Sequence, residues 1–231
     1  MRDPEIGGFG IGHPKKMIPG GKINTPIYQV FYIKNSVASS QAWKALSAAE
    51  RSALIEQERA SREEVKAKGI VICNSAWADE EHPSWGVLCF PDLTARIQHT
   101  RTLSKIGWLD IVEAFTLLGT SDREPEAVTI PNPIYKLWIG KISPAGTGAY
   151  RELSKGLEAA LWEKHNAVYE ETGSKVVLSC SSYWCNEAYP FFGVSVYPSI
   201  EANQKVMRVL DELGWQRYFD VFSLLGIPEQ P

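Results

Sequence analysis

The chain of 231 residues carries 24 Lys and Arg against 27 Asp and Glu, a net charge of -3, and 44% of its residues are hydrophobic. This is the balance of an ordinary soluble globular chain, and it argues against nucleic-acid binding, which calls for a basic face. No apolar run reaches the roughly 18 residues of a membrane span, so no membrane partner is expected.

Residues 1–26 form an irregular arm rich in Gly and Pro, with Lys15, Lys16 and Lys22 between them. The Gly8-Phe9-Gly10-Ile11-Gly12 run has no strand before it and Pro14 after it, so it lacks the setting of a dinucleotide fingerprint. The segment also lacks the apolar middle of a secretory signal, which points to a cytoplasmic location.

Strand composition begins at Ile27 and runs to Ile33. A helical stretch follows from Gln41 to Lys68, with Ser47-Ala48-Ala49-Glu50 as a capping box at an internal start. Ile70–Trp77 and Trp85–Phe90 read as strands on either side of a turn, and Asp92 opens a helix that closes before Gly107. Asp110–Leu118 reads as the last strand of this half, before a linker over 120–133.

The same order then recurs. Cys73-x-x-x-Trp77 and Cys180-x-x-x-Trp184 lie 107 positions apart (184 minus 77). That offset also pairs Ile27-Tyr28 with Ile134-Tyr135, Pro83-x-x-Gly86-Val87 with Pro190-x-x-Gly193-Val194, and Phe115 to Gly119 with Phe222 to Gly226. So long a period is no solenoid unit, whose repeats run about 20 to 50 residues. It implies two domains, 27–119 and 134–226, with a short tail over 227–231. Cys73, Cys89 and Cys180 fall in predicted strands and read as buried thiols rather than a disulfide frame. Cys185 has no C-x-x-C partner, and no metal site is expected there.

Each half, βαββαβ in under 100 residues, is the ferredoxin-like unit, with helices on one sheet face and the other face bare. The fold class expected is α+β, with two tandem ferredoxin-like repeats whose sheets pack face to face. In this the chain resembles the dimeric α/β-barrel superfamily in a form fused into one polypeptide. That resemblance implies an apolar pocket against the sheet. It also implies a cofactor-free monooxygenase, cyclase or isomerase acting on a small aromatic or polyketide-like molecule.

Strand alternation sorts the candidate residues. Assigning the apolar row Tyr28, Val30 and Tyr32 to the helices leaves Gln29, Phe31, Lys136 and Trp138 between the sheets. Glu113 and Asp220, at equivalent places on the last strands, would partner Lys136 in acid–base chemistry, the alternative being that all three lie in water at the rim. His82 and Tyr189 share a hairpin position at the expected barrel mouth, either as proton relays or as loop residues in water. Trp77 and Trp184 are candidate walls of a substrate cavity. His99 reads as a surface residue, and His13 belongs to the arm.

His165 follows Leu157 and Leu161 at helical spacing, beside the stripe that faces the sheet. Around it, Tyr150-Arg151-Glu152-Leu153 and Leu161-Trp162-Glu163-Lys164-His165 are similar to the second-domain helix of chlorite dismutases and coproheme decarboxylases. That resemblance implies a haem with His165 as axial ligand, although no distal arginine can be assigned. Three readings therefore stand side by side: a cofactor-free enzyme, a haem protein, and a non-catalytic binding or interaction module. Oligomeric state is left open.

Overall fold

The computed structural model describes residues 25–141 and 144–229, with the side chains of residues 144 and 147 excepted. The Gly-rich arm and His13 lie outside the described residues. The fold is α+β, with an eight-stranded antiparallel sheet. The first half runs β1 (Ile27–Ile33), α1 (Val37–Ala45), α2 (Ala48–Glu64), β2 (Lys68–Asn74), β3 (Ser84–Phe90), α3 (Leu93–Lys105), α4 (Trp108–Ile111) and β4 (Ala114–Gly119). The second runs β5 (Ile134–Lys141), α5 (Pro144–Arg151), α6 (Lys155–Thr172), β6 (Lys175–Ser181), β7 (Phe191–Tyr197) and α7 (Ile200–Glu212). A 3₁₀ turn over Trp215–Arg217 precedes β8 (Asp220–Pro228).

Local chemistry sets these boundaries. Ser47 accepts from the Glu50 amide while the Glu50 carboxylate accepts from the Ser47 amide, so the first helical stretch breaks into α1 and α2. Asp92 and Ser199 cap α3 and α7 in the same way, each accepting from the amide three residues on. The last strands begin later than composition predicts. Gly107 and Gly214 take left-handed backbone (φ 74° and 64°) and restart a short helical turn before β4 and β8.

Strand order is β4-β1-β3-β2-β8-β5-β7-β6. The two halves meet along two seams. At one, Cys73 pairs with Pro228 and Asn74 with Ile227. At the other, Thr120 and Ser181 exchange backbone hydrogen bonds of 2.9 and 2.8 Å. Segment 120–133 is more than a tether: the Glu126 amide donates to the Val177 carbonyl at 2.8 Å, and Val128 and Ile130 pack on the core.

One apolar core joins both halves, with Val30, Val87, Leu137, Phe192 and Val194 at 0% exposure. Tyr28 belongs to it and Tyr32 packs against it, while Ile27 and Phe31 pack in a separate cluster with Val65 and Ala95 beneath the helices. The face assignment made from alternation is therefore inverted. The uniformly apolar row belongs to the space shared by the two halves, which is the driest. Polar residues of the other row can still meet side chains from the helices. Among the described residues no helix is long and apolar enough to cross a membrane.

Gly119 and Gly226 sit at the seams because nothing larger fits. A Cβ at Gly119 would stand 2.9 Å from the Cys180 Cβ and the Ser181 carbonyl oxygen, and one at Gly226 2.6 Å from the Cys73 Cβ. Gly119→Ala and Gly226→Ala should each destabilise the chain by about 2 kcal/mol through overpacking. Urea unfolding tests this, and unchanged midpoints would contradict the close approach at the seams.

Candidate functional site

The helix α6 turns Leu161, Trp162, His165 and Val168 inward, a stripe at helical spacing. Ser154 caps its start by accepting from the Leu157 amide, and Gly173 closes it in left-handed conformation. His165 is 4% exposed. Its ring stacks on Tyr169 (4.7 Å between centroids, 26°) and on Trp215 (5.1 Å, 20°), and meets Trp162 edge-on at 5.3 Å. Burial pushes its pKa down, opposed in part by the Asn166 side-chain oxygen, 3.1 Å from Nδ1. An amide oxygen only accepts, so Nδ1 carries the proton and Nε2 the lone pair.

Polar groups of the sheet lie under the same helices. The Tyr169 hydroxyl is 3.2 Å from Ser195 Oγ and 3.0 Å from the Tyr197 hydroxyl. Trp138 Nε1 donates to the same Ser195 oxygen at 3.1 Å. Lys136, opposite Ser195 in the β5–β7 register, donates from Nζ to the Met207 thioether on α7 at 2.8 Å. A thioether is a weak acceptor, and burial lowers the Lys136 pKa to about 8. One turn before Met207, the buried Asn203 Oδ1 has no hydrogen-bond partner. This compartment thus gathers an imidazole, an ammonium and an unpaired amide oxygen within an aromatic shell.

The expected Lys136–carboxylate constellation does not assemble. Lys136 faces the helices, not the space between the halves. Asp220 pairs with Lys141 while Lys136 pairs with Leu225, so the acid is five β8 residues away, roughly 16 Å at the rise of a strand. Both Asp220 and Glu113 are exposed, and Glu113 stands beside Lys34 at 3.9 Å in the other half. The acids lie at strand ends, where water solvates them. Gln29 is buried on the helix side with Oε1 unpaired, not between the sheets. Phe31 and Trp138 cover Gly86 and Gly193 on that same side, at sites where a Cβ would collide with their rings. Trp77 and Trp184 are 47% and 44% exposed, on turns just beyond β2 and β6.

His99, expected at the surface, is 2% exposed. Its Nδ1 lies 2.9 Å from Ser61 Oγ, its Nε2 is 3.9 Å from Glu58, and Glu58 pairs with Arg62 at 2.8 Å. Burial, then the charges of Arg96 and Arg62, drive its pKa to about 4. The equivalent position, Val206, is equally buried, and that pairing was the signal for an inward residue. At the far end of the shared core, His82 and Tyr189 pack against Tyr32, Phe115 and Phe222. Sequence reading missed Asp79, Ser195, Asn203 and Met207. Only Asp79 left a trace, its spacing of three from His82. Among the described residues no three or more of His, Cys, Asp and Glu come together as a metal-ion site.

Lys136 has a measurable consequence. Its pKa lies near 8 in the fold and at 10.5 in the unfolded chain, so the unfolded state binds more protons between those values. Stability should therefore rise by up to about 3 kcal/mol as pH increases from 8 to 10.5. Lys136→Met should remove this rise and stabilise the chain at pH 7. Urea unfolding across that window tests both, and a flat wild-type profile would contradict the burial of an ammonium with so weak a partner.

The sequence matches no family model and none of the curated proteins. Solved structures do match. A chlorite dismutase from Candidatus Nitrospira defluvii superposes with a TM-score of 0.68 at 13% identity, covering 88% of this chain and 91% of that one. The same enzyme in complex with imidazole gives 0.67 at 13%, with the same coverage. A haem-binding protein from Thermus thermophilus gives 0.64 at 9%, covering 88% and 91%. At these identities the likeness is one of fold, and it extends over nearly the whole of each chain.

Proposed function

We propose that this chain is a haem-binding protein of the chlorite dismutase-like fold, with His165 as axial ligand. The observation that carries the reading is His165 itself. It is a buried imidazole, kept neutral by its surroundings, with Nδ1 held by Asn166 so that the lone pair sits on Nε2. Axial histidines need this tautomer, fixed by an acceptor on the other ring nitrogen. The residues present fit the group in donor chemistry. Lys136, with a thioether as its hydrogen-bond partner, supplies a buried cation suited to a carboxylate substituent of the macrocycle. Asn203 adds an unsatisfied oxygen in the same compartment. The fold shared with haem-binding proteins supports the reading.

When bound, haem would supply a redox-active iron, chemistry that no described side chain provides. The chain's own residues do the rest. Trp162, Tyr169 and Trp215 pin the imidazole plane, Asn166 holds its proton, and the aromatic shell excludes water. We further propose that the halves 27–119 and 134–226 are duplicated ferredoxin-like units closing into one barrel. The 107-residue offset supports this: β2 and β6 start at 68 and 175, and β3 and β7 at 84 and 191. The cofactor-free acid–base reading has less support, because its acids and Lys136 lie apart.

Ferric haem added to the purified full chain should give a Soret band that saturates at one equivalent. His165→Ala should abolish that band, and Asn166→Ala should weaken binding about tenfold. An unchanged titration in His165→Ala would overturn the assignment.

A further inference from the structure

A second cluster stands apart from the helix-side compartment, at the rim where β1, β4 and the β2–β3 hairpin meet. Tyr32, Lys34, Glu81, His82, Glu113 and Phe115 line a cleft of about 260 Å³ there. Part of the lining is aromatic: Tyr32 stacks on Phe115 at 4.9 Å and meets His82 edge-on at 5.0 Å, with Phe222 5.1 Å away. The rest is ionic. Lys34 Nζ lies 4.0 Å from Glu81 and 3.9 Å from Glu113, so two carboxylates flank one ammonium and neither is within hydrogen-bond reach of it. All three side chains are exposed, and the lysine can swing out into water.

Comparison of the two halves shows how much of this charge the fold needs. Asp79 Oδ1 accepts from the amides of Glu81 and His82 at 2.9 and 3.1 Å. At the equivalent turn Asn186 Oδ1 accepts from Ala188 and Tyr189 at 3.0 and 3.3 Å. An asparagine therefore suffices to build this turn, and position 81 contributes only its backbone. The 107-residue offset matches Asp79 with Asn186, Glu81 with Ala188, Glu113 with Asp220 and Lys34 with Lys141. The first rim thus sets three carboxylates against one ammonium, where the second sets one against one. A positive charge on His82, whose Nδ1 is 3.0 Å from Asp79 Oδ2, would still leave the first rim negative.

The walls define what can enter. Surplus negative charge repels an anion and draws in a cation, whichever form His82 takes. Aromatic side chains favour the same sign of charge and also offer area to a ligand ring. Two carboxylates without a close donor call for a group rich in N–H bonds, and a primary ammonium brings three. The volume, just below the roughly 300 Å³ of small ligand pockets, suits a single ring.

We propose that this rim cleft binds small primary amines carrying one aromatic ring, with the ligand ammonium taking the place of Lys34 between Glu81 and Glu113. The ligand ring lies against Tyr32 and Phe115. Lys34 is then a competitor supplied by the protein's own chain, and Asp79, outside the lining, adds only to the field. The amine stays protonated throughout, and no bond is made or broken.

A ligand-observed NMR titration of the full chain with benzylamine at pH 7 tests this, without added haem so that no iron competes for the amine. Binding should saturate at one site, weaken as salt is raised, and be about tenfold poorer for the uncharged analogue benzyl alcohol. Glu81→Gln and Glu113→Gln should each weaken it about tenfold. Asp79→Asn, which keeps the turn as Asn186 does, should weaken it by less. Lys34→Gln should tighten binding severalfold, a gain that loss of folding cannot mimic. Absence of saturable binding, equal affinity for benzyl alcohol, or weaker binding in Lys34→Gln would overturn the proposal. So would Glu81→Gln and Glu113→Gln chains that bind as the wild type does.

Discussion

The described fold depends on one requirement: a sheet that carries helices on one face must remove its other face from water. Here buried side chains from 27–119 and from 134–226 pack into one core. The apolar row of every strand is drawn into one shared core. Two backbone seams, Asn74 with Ile227 and Thr120 with Ser181, then hold the halves in register. With the middle of the shared core packed by fully buried aliphatic and aromatic side chains, buried polar groups such as His165 and Lys136 gather beneath the helices.

The two halves use their helix-covered faces differently. In the first, Glu58 pairs with Arg62 and His99 lies against Ser61 and Glu58, while Arg62 Nε is left without a hydrogen-bond partner. Their partners in the second half are His165, Tyr169, Val168 and Val206, so the same backbone positions hold an imidazole among aromatic rings. The first network pairs opposite charges. The other leaves Lys136 with a thioether and Asn203 with an unmet oxygen, an arrangement that costs stability unless something else is bound.

Much of this was legible in the sequence. The Ser47–Glu50 capping box, the Asp92 cap and the recurrence of strand and helix at constant spacing located most elements. His165 was visible as an inward residue from its helical phase. The face assignment failed for a physical reason. When both faces of a sheet are covered, alternation separates two rows without saying which row meets the drier side. Placing the apolar row under the helices put Lys136 in the wrong compartment and paired it with acids it never meets. Trp77 and Trp184, read as candidate cavity walls, lie half-exposed on turns past the strand ends.

The imidazole beneath α6, and not either of the other described histidines, is the one proposed to take iron. NMR of the chain labelled with ¹⁵N-histidine, recorded before and after one equivalent of ferric haem, reads this out residue by residue. The His165 resonances should be lost to paramagnetic broadening while those of His82 and His99 persist. Persistence of the His165 signals, with loss of those of His82 or His99 instead, would contradict the assignment.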